Sequence, residues 1–251
     1  MGRYERQMQL TGFGREKQEA LSQARVLVVG AGGLSMPVLQ YLTAMGVGTL
    51  GIIENDRVAL SNLHRQVLYE TRDAGKPKLY AAIAKLSAQN PDVELVPHAA
   101  FLRVENALEI IGSYDLVIDG CDNIGTRYLV NDACVMLGKP FIYGAVFQYE
   151  GQLSVCNFRG SATYRCLFPQ VPGNAAVPGC NETGVLGILP GIIGSYQAAE
   201  ALKVICGIGS PLANQLLCID MLTGGQLQIR CRPDPANLQI RELAASYWQY
   251  F

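Results

Sequence analysis

Three things are missing from this sequence: a long apolar run, a field of one charge, and the cysteine pattern of a secreted scaffold. No stretch approaches the roughly 20 apolar residues of a membrane-spanning helix. The nearest, "GVLGILPGIIGSY" at 184–196, is interrupted by Pro190 and glycines and is expected to be a buried core segment. Lysine and arginine number 20 against 21 aspartates and glutamates, a net charge of −1. With no basic field, nucleic acid is not an expected partner, and no run of like charge reads as a tail. The start, "MGRYERQMQL", is too polar for a secretory signal, and position 6 lacks the Ser or Thr of a myristoylation site. Eight cysteines mark a disulfide scaffold only in a short secreted chain, and this one has 251 residues. Cys121, Cys134, Cys156, Cys206, Cys218 and Cys231 lie in strand-like or helix-like contexts. They read as buried small hydrophobes in a reduced cytoplasm. Cys166 and Cys180 lie in loop-like stretches. The expected location is cytoplasmic, with no membrane partner.

What is present is alternation. "RVLVVG" (25–30) is a continuous apolar run of strand length, as in a strand buried on both faces. "LSMPVLQYLTAMG" reads as a helix ended by Gly46, and "TLGIIE" as a second strand. "KPKLYAAIAKLSAQN" is an amphipathic helix with Pro77 near its start and Asn90-Pro91 past its end. Strand "DVELVPHA", helix "NALEIIGSY", strand "DLVIDGCD", helix "TRYLVNDACVMLG" and strand "PFIYGAV" follow. Such alternation implies an α/β fold on a mainly parallel sheet. After residue 147 the rhythm changes. "EGQLSVCNF" is strand-like, 159–182 is long and irregular, and "GIIGSYQAAEALKVIC" is helical. "NQLLCIDML" and "GGQLQIRCR" form a hairpin around Thr223-Gly224-Gly225, and the tail 234–251 is the least legible part. Loops as long as 159–182 are usually functional or mobile.

A strand running into "GAGGLS" (30–35) and then a helix is a nucleotide-binding turn. Glycines such as Gly30, Gly32 and Gly33 let phosphate oxygens approach the backbone. The helix start offers free N–H groups. An acid about 20 residues further on takes ribose hydroxyls, and Glu54 stands there. This much does not separate NAD from ATP. "SNLHRQ" adds Asn62, Arg65 and Gln66, and "GKPK" adds Lys76 and Lys78 at a helix start. Lysines there oppose the helix dipole unless an anion offsets them. Several cations beside a glycine turn suit a triphosphate better than a dinucleotide.

These motifs occur in series. "RYERQ" (3–7), "GAGGLS", "LSNLHRQ" (60–66), "GKPK" (75–78), "DGCDN" (119–123), "EGQL" (150–153) and "YRCLFP" (164–169) stand in the order and at about the spacing of the MoeB/ThiF family. The sequence resembles that family from residue 3 to about 230. The resemblance implies a Rossmann-like, mainly parallel sheet in the N-terminal half, extended by antiparallel strands in the C-terminal half. It implies one adenylation domain over 1–251, with a nucleotide-binding half (1–147) and a carrier-binding, dimer-forming half (148–251). The implied reaction is ATP-dependent adenylation of the C-terminal glycine of a small ubiquitin-fold sulfur carrier ending in Gly-Gly. Pyrophosphate leaves, and the product serves sulfur transfer in thiamine or molybdopterin biosynthesis. By the same resemblance Gly33 and its neighbours approach the phosphates, and Glu54 holds ribose where the family usually has Asp. Asn62, Arg65 and Lys78 hold the triphosphate. Asp122 coordinates Mg²⁺, with Asn123 beside it. Arg6 reaches the ATP site of the second subunit of a homodimer.

The chemistry suits those residue types. A carboxylate that attacks the α-phosphorus is repelled by it, and cations offset that repulsion. A C-terminal carboxylate is already ionised at pH 7, so no general base is needed. Only two histidines are present, and His64 and His98 receive no catalytic role. Two departures from the family stand out. Its structural zinc sits on two C-x-x-C pairs. Here Thr163 replaces the first thiol, Cys166 remains, and no cysteine follows Cys231. Zinc is therefore expected to be absent, with apolar packing by the tail in its place. Cys180 matches a crossover-loop cysteine that takes part in covalent steps in some members, and a helix starting near Gly184 would activate it. No rhodanese-like unit is part of the resemblance. Other readings are adenylation of a short peptide or modified tRNA base, an NAD-dependent oxidoreductase, and a non-catalytic activating-enzyme-like subunit.

Overall fold

The computed structural model describes residues 2–170 and 184–247. Eight strands form one sheet in the order β3-β2-β1-β4-β5-β6-β7-β8. They are β1 (Arg25–Val29), β2 (Thr49–Ile53), β3 (Glu94–His98), β4 (Leu116–Asp119), β5 (Phe141–Phe147), β6 (Glu150–Cys156), β7 (Gln215–Asp220) and β8 (Gln226–Arg230). The first five are mutually parallel. From β5 onward the pairing is antiparallel. This is the expected mainly parallel sheet with an antiparallel extension. Its strand order reverses between β1 and β4, which opens a crevice at their carboxyl ends.

Eight helices accompany the sheet among the described residues: α1 (Glu5–Met8), α2 (Gly14–Gln23), α3 (Ser35–Met45), α4 (Lys78–Gln89), α5 (Val104–Gly112), α6 (Ile124–Met136), α7 (Tyr164–Leu167) and α8 (Leu189–Cys206). Strands β1, β2 and β4 are buried on both faces, so their sequences are apolar without alternation. One core cluster joins Leu39, Leu42, Leu86 and Ile193 from α3, α4 and α8. The other joins Ile111, Tyr128, Leu129 and Phe141 with the distant Tyr247. Strand β8 is exposed along its whole length, including Leu227 and Ile229.

Four expectations need correction. The helix expected over 191–206 is α8, which begins two residues earlier at Leu189, and 184–188, expected to start a helix that activates Cys180, is not helical. Leu186 and Ile188 before it are exposed, so 184–196 is not wholly a core segment. Pro190 falls in the first turn of α8, where its missing N–H costs nothing. Cys218 and Cys231 are half-buried rather than buried: Cys218 pairs with Leu227 of the exposed edge strand β8, and Cys231 directly follows that strand. The tail is fastened by polar contacts as well as apolar packing. The Tyr247 hydroxyl donates to Asp132 at 2.6 Å, and Arg165 grips the same carboxylate with two bonds of 2.7 Å. Cys166 Sγ accepts from the Asp234 N–H at 3.3 Å and lies 3.4 Å from Thr163 Oγ1.

Candidate functional site

The site begins at the end of β1. Gly30 has φ of +90°, and its N–H donates to the Ile53 carbonyl at 2.9 Å. A Cβ at Gly30 would sit 2.9 Å from the Gly120 carbonyl oxygen, so only glycine lets the ends of β1 and β4 approach this closely. Gly33 packs between Pro190 and the Arg65 side chain. Beyond the turn, α3 starts on Ser35 with no side-chain cap. The N–H groups of Gly32 and Gly33 donate to nothing among the described residues. Free donors at the start of an eleven-residue helix are an anion-binding arrangement.

Glu54 leaves β2 beside this turn and is buried. Its carboxylate accepts the Ala31 N–H at 2.9 Å and those of Asn55 and Asp56 at 2.8 Å each. The longer side chain, where the family usually has Asp, thus clamps the glycine turn. Its remaining acceptor capacity borders a recess of about 150 Å³ shared with Asp56, Leu79 and Tyr80.

The segment after β2 brings the cations. Asn62 and Arg65 belong to one short turn whose backbone closes from Arg65 and Gln66 N–H onto the Asn62 carbonyl. Gln66 is buried next to Gly32, and its Oε1 has no partner among the described residues. A buried amide oxygen without a partner is costly, and a donor group on a bound ligand would offset that cost. Lys78 opens α4, is buried, and lies 3.3 Å from the exposed Asp56. Lys76 differs. It is spent on Asp73 at 3.1 Å, and Lys85 holds Asp73 and Glu70 at 2.8 and 3.0 Å. The Lys85 ammonium beside Asp73 holds that carboxyl well below the usual range. His64 is exposed, with Nδ1 3.0 Å from the Ser61 carbonyl. His98 meets the Tyr114 hydroxyl at 2.7 Å in a structural contact.

The third wall is the turn after β4. Asp122 is exposed. Asn123 spends its side-chain oxygen capping α6, accepting the Thr126 N–H at 2.7 Å. Below them lies a charge pair that sequence reading missed. Asp119, fully buried, accepts Arg127 Nε at 3.1 Å and both the N–H and Sγ of Cys121. Arg127 also donates to the Cys121 carbonyl at 3.0 Å. Burial raises the Asp119 carboxyl, with the Arg127 guanidinium opposing. Burial and the neighbouring Asp119 push the Cys121 thiol well up, so it is a donor and not a nucleophile. Gln197, buried on α8, donates to the Asp119 carbonyl at 2.6 Å. The only sequence signal for this group was an Asp and an Arg at i and i+8 across a strand-to-helix turn.

The remaining expected residues lie elsewhere. Arg6 is exposed on α1. That helix packs at the far end of α3, where Gln7 donates to the Met45 carbonyl and Tyr4 covers Gly46. Eleven residues of helix put it about 16 Å from the glycine turn. Cys180 lies outside the described residues. No helix among the described residues is long and apolar enough to cross a membrane.

Comparison with known proteins gives this crevice its context. A "Sulfur carrier protein adenylyltransferase" of Thermus thermophilus is 52% identical over 240 residues, covering 94% of this chain and 89% of that protein. An "Adenylyltransferase and sulfurtransferase MOCS3-2" of Zea mays is 47% identical over 221 residues. That match covers 88% of this chain and 46% of the maize protein, so the chain spans about half the length of such relatives. Among solved structures, E. coli MccB with ATP superposes with a TM-score of 0.83 at 20% identity, over 96% of this chain and 74% of that one. At that identity the likeness establishes the fold. The family model described as "ThiF family" matches residues 4–239, and the chain belongs to the ThiF family.

Proposed function

We propose that this protein adenylates the C-terminal carboxylate of a small sulfur-carrier protein, with ATP as substrate. The observation that carries the reading is the glycine turn and what lies against it. The Gly32 and Gly33 N–H groups are unspent among the described residues, Arg65 packs on Gly33, buried Gln66 lies next to Gly32, and Lys78 pairs with Asp56 two residues beyond Glu54; these contacts support assigning Asn62 and the exposed Asp122 to the same site. The 52% identical relative carries a matching name. An NAD-dependent oxidoreductase leaves that cation set unexplained. A non-catalytic subunit has no need to retain it.

In this reading the turn N–H groups, Arg65 and Lys78 take the phosphate charge. They lower the repulsion between an incoming carboxylate and the α-phosphorus, and they stabilise the pyrophosphate that leaves. The carrier's carboxylate oxygen forms the new bond to phosphorus as the bond to the β-phosphate oxygen breaks. No proton moves, since the attacking carboxylate is already ionised. Among the described residues no group of three or more His, Cys, Asp or Glu gathers to hold a metal. A single exposed Asp122 fits Mg²⁺ that arrives on the triphosphate, which uses one or two carboxylates and keeps its waters. Bound there, it would add positive charge against the phosphates.

Arg6 is too distant to serve its own crevice, which supports action in a second copy of the chain. Exposed Leu60, Val67 and Ile188 flank the contact between His64 and Gly187 and give a second copy an apolar surface to cover. Leu227 and Ile229, open on β8, are the face offered to the carrier. Zinc is not part of this reading: Thr163 stands where the first thiol would be and Cys166 Sγ accepts from the Asp234 N–H, and elemental analysis is expected to find no stoichiometric zinc. The function is tested by ATP–pyrophosphate exchange with each Gly-Gly-ended ubiquitin-fold protein of the same genome. Exchange that requires one such protein and its last glycine is the expected result. Exchange with a free peptide of the same C-terminal sequence, or none with any carrier, overturns the reading.

A further inference from the structure

Ala31 is held on both sides by buried side chains. Its N–H is accepted by Glu54 Oε2 at 2.9 Å, and its carbonyl accepts the Tyr69 hydroxyl at 3.0 Å. Ala31 is fully buried and Tyr69 is 5% exposed. The described peptide bonds are all trans, so the Ala31 C=O and the Gly32 N–H lie in one plane and point in opposite directions. A hydroxyl that draws the Ala31 carbonyl into the core therefore turns the Gly32 N–H outward, away from Tyr69. That N–H has no acceptor among the described residues.

Tyr69 is itself braced. The Lys85 ammonium takes the Leu68 carbonyl at 2.7 Å and the Glu70 carboxylate at 3.0 Å, one residue to either side. Lys85 also pairs with Asp73 at 2.8 Å. The same stretch of chain carries Asn62, Arg65 and Gln66 immediately upstream. One hydroxyl thus joins the glycine turn to the cation-bearing segment.

We infer that Tyr69 is a positioning residue: by pinning the Ala31 carbonyl it aims the Gly32 N–H at a phosphate of the nucleotide and fixes the turn against the Asn62–Gln66 segment. This rests on the nucleotide reading above. The phenol suits the task because it remains a donor. Burial, with Glu54 and Asp73 nearby, holds it protonated far above its ordinary range. Phenylalanine would fill the same space and leave the Ala31 carbonyl unsatisfied and free to rotate.

The test compares wild type with Tyr69→Phe. Mg-ATP affinity is measured by calorimetry, melting temperature by scanning calorimetry, and the Gly32 amide by NMR on protein labelled with ¹⁵N-glycine. In wild type, ATP is expected to shift the Gly32 amide strongly. In Tyr69→Phe that shift should be lost and ATP should bind about tenfold more weakly. A merely structural tyrosine would lower the melting temperature and leave ATP affinity unchanged, and that outcome overturns the inference. So does a wild-type Gly32 amide that ATP does not move, a readout that needs no variant to fold. Wild type that fails to bind ATP at all would instead defeat the underlying reading.

Discussion

Helix α3 has a glycine-bearing turn at each end, and the two behave in opposite ways. At its C-terminus Gly46 takes φ of +81° and its N–H bonds back to Thr43, while Gly48 lies against the Ser22 carbonyl. Tyr4 lies over Gly46, so a Cβ there would overlap the ring. Protein fills every approach. At its N-terminus Gly32 has only ordinary contacts around it and Gly33 packs on Pro190 and Arg65, yet the N–H groups of both have no acceptor among the described residues. Buried Gln66 Oε1 beside them lacks a partner too. Both turns are glycine-rich for steric reasons. What separates the two is the backbone: the N-terminal turn leaves N–H donors unspent, whereas the unpartnered polar atom at the other end is the buried hydroxyl of Thr43.

The comparison can be broken from either side. Lys78→Ala removes a cation at the unspent end. It should lower ATP–pyrophosphate exchange at least 100-fold, about 3 kcal/mol of transition-state stabilisation. The fold should change little, because its partner Asp56 is exposed. Gly46→Ala attacks the filled end, with a left-handed backbone and the Tyr4 ring in the way. It should cost about 2 kcal/mol of stability by denaturant titration and leave the ATP dissociation constant of the folded protein unchanged. Reversed outcomes would mean that the two turns have been assigned the wrong way round.

The smallest effect concerns the Asp73–Lys85 brace. Its carboxyl is held below the ordinary range in the folded state by Lys85. A depressed carboxyl contributes stability above its unfolded value, about pH 4, and loses it as the pH falls toward the folded value. Asp73→Asn should therefore melt lower than wild type at pH 7, and the gap should close as the pH drops below about 4. A gap that widens in acid would contradict the assignment.

The sequence was most legible where one local pattern decides the structure. Buried strands such as Val26–Val29 announce themselves as unbroken apolar runs, and Gly30–Gly33 announces a turn. Long-range pairings were silent. Arg165 and Tyr247 meet on Asp132 across 33 and 115 residues, and Gln197 reaches the Asp119 carbonyl across 78. Nothing in local composition encodes such a meeting. The start of α8 was legible to within two residues, but Gly184, Gly187 and Pro190 each resemble a boundary, and a helix from Gly184 does not form. Tyr69 passed unnoticed because its role depends on the carbonyl it meets, 38 residues away. The Thr163–Cys166 pair was legible as a lost thiol pair, but its contact with Asp234 was not.

The central proposal is that the two ends of α3 serve one reaction from two subunits, the filled end lending Arg6 to the unspent end of a partner. The direct test mixes Arg6→Ala with Asp122→Ala, each inactive alone, after subunit exchange has been demonstrated. Random exchange of equal amounts leaves half of the dimers mixed. If Arg6 acts across the interface, each mixed dimer has one site with Asp122 intact and Arg6 supplied by the other subunit. ATP–pyrophosphate exchange should then recover to about a quarter of wild type, on the scale of the roughly 100-fold loss that each lesion causes. If Arg6 serves its own subunit, every site in a mixed dimer carries one lesion. A mixture that exchanges subunits and stays inactive would contradict the claim.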